Sequence, residues 1–532
     1  MNRRTFLRSA GLAGISFAGI PACAVPRSAP RVKAFELDEK TIPELQAAMK
    51  AGRESAVSLT RKYLQRINAI DADGPRLASV IELNPDALAI ARELDKERRA
   101  KGPRGPLHGI PIFIKDNIDT RDRMMTTAGS LALVGSIAPR DSFVAERLRA
   151  AGAVILGKTN LSEWANFRSG RSTSGWSGRG GQTKNPYVLN RNPSGSSSGS
   201  AVAASANLCA AAVGTETDGS IVSPCSYCGI VGIKPTLGLV SRSGIVPIAA
   251  SQDTAGPMAR TVTDAAILLG ALAGYDSRDP ITGESRDRLV TDYTRLLDPN
   301  GLRGARIGVA RKQFRHRADT TKLFDNVLEA LRSAGATLID PADIPSQGKV
   351  GDAEFQVLLY EFKDGLNKYL AGLDPKVSVR ALKDVIEFNE RNRDREMPYF
   401  GHETLVRAQE KGPLSEKEYV EARAKCVRLS REEGIDAVIK EHRLDALVAP
   451  TTGPAHATDY LFGDRDTGGG SSSFPAMAGY PHITVPAGNV LGLPVGFSFF
   501  GRAYSEPTLI KLAYSFEQLT RARKTPQFLA TL

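Results

Sequence analysis

The chain has 532 residues, 42% of them hydrophobic and 24% charged, an ordinary globular balance with ample material for a core. No stretch approaches the roughly 20 apolar residues of a membrane span. The net charge of +12 does not point to nucleic acid: half of it comes from Arg3, Arg4, Arg8, Arg27, Arg31 and Lys33, with no acid within residues 1–34, and the remainder is spread without basic blocks.

The N-terminus carries a message separate from the fold. Asn2-Arg3-Arg4-Thr5-Phe6-Leu7-Arg8 is a twin-arginine signature, followed by a mildly apolar run from Ala10 to Ile20 and the small-residue zone Pro21-Ala22-Cys23-Ala24. A basic start, a short apolar middle and small residues at a cleavage zone predict an export signal over residues 1–30. Cleavage near Ala24 would release a periplasmic or secreted protein, and lipidation at Cys23 is the alternative. Pro21 fits the lipidation pattern poorly.

Residues 31–532 are expected to form a single domain. Thr41 before Ile42-Pro43-Glu44 reads as a helix cap with a capping box, and further helices are expected at about 58–69, 85–100 and 141–151, the last capped by Asp141 and ended by Gly152. Short apolar runs at Ile110–Ile114, Ala153–Leu156, Leu208–Val213, Ile307–Ala310, Ala446–Val448 and Ile483–Val485 predict strands buried on both faces. Their alternation with helices argues for an α/β fold built on a large mixed sheet. Residues 350–443 are charge-rich, helical in pattern and poor in strand signals. Gly468-Gly469-Gly470-Ser471-Ser472-Ser473 is a mobile loop by composition.

Chemistry concentrates in three glycine-rich frames. Gly109-Ile110-Pro111-Ile112-Phe113-Ile114-Lys115-Asp116-Asn117 ends an apolar strand on a lysine. Ser194-Gly195-Ser196-Ser197-Ser198-Gly199-Ser200 follows, and Gly214-Thr215-Glu216-Thr217-Asp218-Gly219-Ser220-Ile221 places a second serine 24 residues after the first. A serine in a tight glycine turn presents its hydroxyl beside several free backbone N–H groups, which pairs a nucleophile with an oxyanion site. No histidine lies in or between the serine frames, so a Ser-His-Asp arrangement would need a distant histidine, and a lysine at the end of an apolar strand offers another base. A lysine can accept a proton only when neutral, and burial at the end of an apolar strand favours that form. The competing role for Lys115 is a salt bridge to Asp116 or another acid.

Frames of this kind, in this order, resemble the amidase signature family. Cys228-Gly229-Ile230-Val231-Gly232-Ile233-Lys234-Pro235-Thr236, Ser251-Gln252-Asp253-Thr254-Ala255-Gly256-Pro257-Met258 and the tail Gly492–Gly501 extend the resemblance from about residue 41 to about 515. Asp218-Gly219-Ser220-Ile221-Val222, where many members have Gly-Gly-Ser-Ile-Arg, looks like the peptide amidase branch. The resemblance implies the amidase signature fold, a large mixed β-sheet covered by helices on both faces, with residues 350–443 as a helical elaboration over the active-site mouth. It implies hydrolysis of carboxylic or peptide C-terminal amides through an acyl-enzyme. Ser220 would be the nucleophile, Ser196 the bridge, reached through a cis Gly195–Ser196 bond, and Lys115 the base. The backbone N–H groups of Thr217, Asp218, Gly219 and Ser220 would form the oxyanion hole, and Asp116 and Asn117 would hold the lysine strand.

Two other readings share these residues. One is the ammonia-supplying subunit of a transfer-RNA amidotransferase, which needs cytoplasmic partners and fits an export signal poorly. The other is a catalytically silent binding protein on the same scaffold. Cys225 and Cys228 form a C-x-x-C that reads as two small buried side chains or as a local disulfide. His108, His316, His402, His442, His456 and His482 are scattered without metal spacing, so no metal and no cofactor are expected. The expected partner is a small-molecule or peptide amide; oligomeric state is left open.

Overall fold

A computed structural model describes residues 32–314, 317–465 and 467–532. The export signature, Cys23 and His316 lie outside the described residues.

An eleven-stranded mixed sheet organises the chain. Its first half runs Val80–Leu83, Val154–Thr159, Pro111–Lys115, Ala211–Glu216, Thr254–Ala259 and Val231–Lys234. The second half continues with His482–Val490, Leu493–Phe500, Ala446–Pro450, Arg306–Val309 and Thr337–Ile339. The strand ending on Lys115 lies between two parallel neighbours, Val154–Thr159 and Ala211–Glu216. Every residue of these three strands is buried, so helices cover both faces, which is why they read as unbroken apolar runs without alternation. All six expected strands form. The Leu208–Val213 expectation is displaced, because Leu208, Cys209 and Ala210 lead into a strand that begins at Ala211 and extends to Glu216.

The helices follow their caps. Thr41 and Glu44 close a reciprocal capping box ahead of Ile42–Lys50. Helices Ala56–Ile67 and Ala87–Lys101 stand where periodicity puts them. The cap of Phe143–Ala150 is a correction: Ser142, not Asp141, accepts from the Ala145 amide, and Asp141 instead takes hydrogen bonds from the Arg121 amide and the Arg149 guanidinium.

From Ala353 to His442 the chain is helical, with no strand. The long helix Ala353–Ala371 turns Leu359, Phe362, Leu366 and Leu370 onto Leu133, Trp164, Val246 and Ile248, burying one apolar face against the segments that follow the lysine strand. A buried cluster ties down another helix of this region, Arg393–Glu396: Arg168 pairs with Glu163 and, at 3.4 Å, with Glu396. The sheet thus carries the lysine frame and the start of the Gly214–Ile221 frame, the Ser194–Ser200 frame leads into the helix Ser198–Ser205, and the helices of residues 353–442 wall one side.

Candidate active site

Neighbouring parallel strands bring Lys115 and Glu216 to the same end of the sheet, where the loop of Ser196 meets them. Lys115 ends its strand fully buried, and its Nζ donates to Ser196 Oγ at 2.8 Å, to Thr215 Oγ1 at 2.9 Å and to the Thr215 carbonyl at 3.3 Å. Burial drives its pKa down from the ordinary lysine value to about 7, against the weaker pull of Asp253 and Glu216. The salt-bridge alternative is not what forms: Asp116 accepts from Thr127 Oγ1, from the Gly129 amide at 3.3 Å and from Arg179 at 3.5 Å. Asn117 Nδ2 donates to Thr215 Oγ1 at 3.0 Å, tying the end of the lysine strand to its neighbour.

The first serine frame is pinned by its own hydroxyls. Ser197 Oγ donates to the Thr215 carbonyl at 2.9 Å and accepts from the Thr215 amide at 3.2 Å, while Ser198 Oγ donates to the Ser194 carbonyl at 2.6 Å. The Gly195–Ser196 peptide bond is cis. Glycine is required at 195 by close approach, since a Cβ there would stand 2.3 Å from Ser162 Oγ.

Glu216 shapes the turn that carries Ser220. Its carboxylate accepts from the amides of Ile221 at 2.7 Å and Val222 at 3.0 Å, directing the chain into the helix Val222–Tyr227. Thr217 Oγ1 donates to Asp253 at 2.5 Å, and Gly219 takes a φ of +78° that other residues rarely adopt. Among the described residues no acceptor engages the amides of Thr217, Asp218, Gly219 and Ser220. Four consecutive unengaged N–H groups beside a serine hydroxyl are what an oxyanion needs.

The bridge is half built. Lys115 and Ser196 are joined, but among the described residues no hydrogen bond links the hydroxyls of Ser196 and Ser220; the loops are joined by the Ser197 amide donating to the Ser220 carbonyl at 3.1 Å. A cavity of about 400 Å³ reaches Thr215, Asn117, Thr217 and Asp253 on the lysine side and opens toward Tyr369 and Lys368 of the long helix; neither serine lines it.

Sequence reasoning missed Thr215, which accepts from the lysine, and the ordering roles of Glu216 and Asp253. All three sit in the motifs quoted above, yet nothing in a linear sequence tells which way their side chains point. Asp218, singled out as unusual, accepts from Ser473 Oγ at 2.7 Å; burial first, and then the neighbouring Asp218, lift the Glu354 carboxyl to about 8. The C-x-x-C holds two free, buried thiols. No group of three or more potential metal ligands occurs among the described residues.

Comparison with known proteins converges on one family. A family model described as Amidase matches residues 58–510. A probable amidase of Arabidopsis thaliana is 44% identical over 505 residues, 93% of each chain. The native peptide amidase of Stenotrophomonas maltophilia superposes with a TM-score of 0.88 at 53% identity, covering 93% of this chain and 99% of that one. A glutamyl-tRNA(Gln) amidotransferase subunit of Thermosynechococcus vestitus is 36% identical over 499 residues, 90% of this chain and 98% of the other.

Proposed function

The chain belongs to the amidase signature family and is an amidase, and from that premise we propose that it cleaves C-terminal amides of peptides and other neutral carboxamides to acid and ammonia. The observation that carries the mechanism is the 2.8 Å contact from the buried, readily neutral Lys115 to Ser196, beside a turn of four free amides.

In this reading Ser220 Oγ attacks the amide carbonyl carbon, and its proton passes to Ser196 Oγ as the Ser196 proton passes to Lys115. The contact between the two hydroxyls closes when substrate is bound, since catalytic hydrogen bonds often tighten only in the complex. The amides of residues 217–220 hold the oxyanion. Collapse breaks the C–N bond and expels ammonia, the leaving nitrogen taking a proton from Ser196 that Lys115 replaces. Water then hydrolyses the ester by the same relay in reverse.

Val222 bears on the substrate. An arginine at that position can clamp a substrate carboxylate through two parallel hydrogen bonds, which valine cannot. The purified chain alone is therefore expected to release ammonia from capped peptide amides and simple neutral amides with a higher kcat/KM than from carboxylate-bearing amides such as malonamate. A clear preference for malonamate overturns the substrate reading. No release from any amide by the chain alone favours the amidotransferase or silent-scaffold readings.

We further propose twin-arginine export to the periplasm, supported by the run Arg3-Arg4-Thr5-Phe6-Leu7-Arg8. Changing Arg3 and Arg4 to lysine is expected to strand the enzyme in the cytoplasm on cell fractionation; undiminished periplasmic enzyme rules this route out. Mature protein that stays with membranes and carries lipid at Cys23 would replace the soluble form with a lipoprotein.

A further inference from the structure

The described residues of the segment 459–473 bond to Asn192 and Ser174 beside the first serine frame and to Asp218 within the second. Near its start, Asp464 accepts from the amide and hydroxyl of Ser174, the amide at 2.9 Å and the hydroxyl at 2.5 Å, and from Asn192 Nδ2 at 3.3 Å. Ser174 Oγ in turn lies 3.2 Å from where a Cβ on Gly195 would stand. At its end, Ser473 Oγ donates to Asp218, and Ser472 Oγ lies 3.2 Å from where a Cβ on Gly219 would stand. The segment therefore borders the ground between the loop of Ser196 and the loop of Ser220.

What this segment offers to solvent is apolar. Leu461 is 78% exposed, Phe462 60% and Tyr460 38%. Tyr460 stacks on Tyr399, itself 48% exposed, with ring centroids 4.2 Å apart. The turn that presents them is firmly held: the Asp459 carboxylate accepts from the amides of Leu461 and Phe462, each at 2.9 Å, and the Asp459 carbonyl accepts from Thr173 Oγ1 at 2.7 Å. Isolated exposed apolar side chains need no explanation, but a contiguous group on a rigid turn marks a surface that meets a partner. This one adjoins Asp464, which holds Ser174 beside Gly195 of the first serine frame, and that place makes the substrate its partner.

We propose that Tyr460, Leu461, Phe462 and Tyr399 form a lip that receives apolar side chains on the acyl side of a peptide amide, so that the enzyme selects hydrophobic residues upstream of the amide it cleaves. This rests on the amidase reading above. A rigid aromatic surface contributes contact area at little ordering cost to the protein. Arg465, which sits 4.8 Å from the centre of the Phe462 ring, is itself paired with Asp459 at 3.5 Å, so the lip adds little free charge to attract an acidic substrate.

The test is kcat/KM on capped dipeptide amides with leucine, phenylalanine or alanine as the penultimate residue, for wild type and for the L461S/F462S protein. Wild type is expected to favour leucine and phenylalanine over alanine by roughly tenfold, the scale of a partly buried apolar side chain. In the variant that ratio is expected to fall toward one. Both side chains are exposed, so the melting temperature should not move; if it does, Phe462→Gln alone supplies the ratio. An unaltered ratio, whatever the overall rate, overturns the proposal. So does a wild-type dimer that becomes monomeric in the variant with the ratio unaltered, which gives the patch to a second copy. Absence of ammonia from every amide in both proteins counts against the amidase reading instead.

Discussion

Replacing Ser220 with alanine is expected to abolish amide hydrolysis, lowering turnover by at least ~10⁴-fold, because no other group stands ready to form the acyl-enzyme. Ser196→Ala and Lys115→Ala should each leave a small remainder. The reason is geometric. Lys115 reaches Ser196 at 2.8 Å, and Ser197 binds the Ser220 carbonyl at 3.1 Å, so the three groups belong to one hydrogen-bonded frame. Residues that act as a unit give non-additive losses, and the double variants should be little worse than the worst single one. Ser220→Ala keeps the backbone amides of residues 217–220, so substrate amides should still bind. Steady-state rates, with near-ultraviolet circular dichroism to check the fold, decide the matter. Near-wild-type turnover in a folded Ser220→Ala protein sinks the nucleophile assignment.

The uneven legibility of the fold in its sequence has a physical cause. Strands buried on both faces, such as Pro111–Lys115, are legible because burial demands an apolar run that few other structures need. Thr254–Ala259 and Leu493–Phe500 read as motifs and not as strands, since Gly256, Pro257 and Pro494 interrupt their patterns and only neighbouring strands hold them extended. The short edge strand Val80–Leu83 pairs on one side alone and carries Glu82, leaving too little apolar signal. In the site, backbone-driven features are readable from glycine spacing. Side-chain partners brought from distant segments are not: Asp253 lies 36 residues from Thr217 along the chain, and Ser473 lies 255 from Asp218. Only folding brings them together.

The departure at Asp218 also acquires a reason. Its carboxylate holds Ser473, the residue that begins the helix Ser473–Ala478, and so fastens the far end of the 459–473 segment to the turn of residues 217–220. A glycine there would leave the turn free of that tie. The side chain thus links the chemistry of the turn to the surface that borders it, without occupying the positions of the four amides.

The pH dependence follows from Lys115. With its pKa brought down to about 7 by burial, the lysine is protonated and unable to accept a proton in acid, and becomes competent as pH rises through 7. The kcat/KM for a neutral amide is therefore expected to climb through one ionisation near pH 7 and to level off above pH about 8, one unit past the midpoint. Lys115→Arg, whose guanidinium stays charged, should be inactive throughout. Stability gives an independent reading of the same group. Between the folded value of about 7 and the unfolded value of ~10.4 the unfolded chain binds the extra proton, so this lysine's contribution to stability must rise with pH across that window. Below about 7 both states are protonated, and the cost of burying the charge is present in full. Lys115→Met removes the group, and the stability difference between wild type and Lys115→Met, measured by denaturant unfolding, should shift in favour of wild type from pH 7 to pH 10. A rate profile flat from pH 5 to pH 9, together with a stability difference that does not change with pH, would mean that Lys115 is neither the base nor neutral in the folded protein.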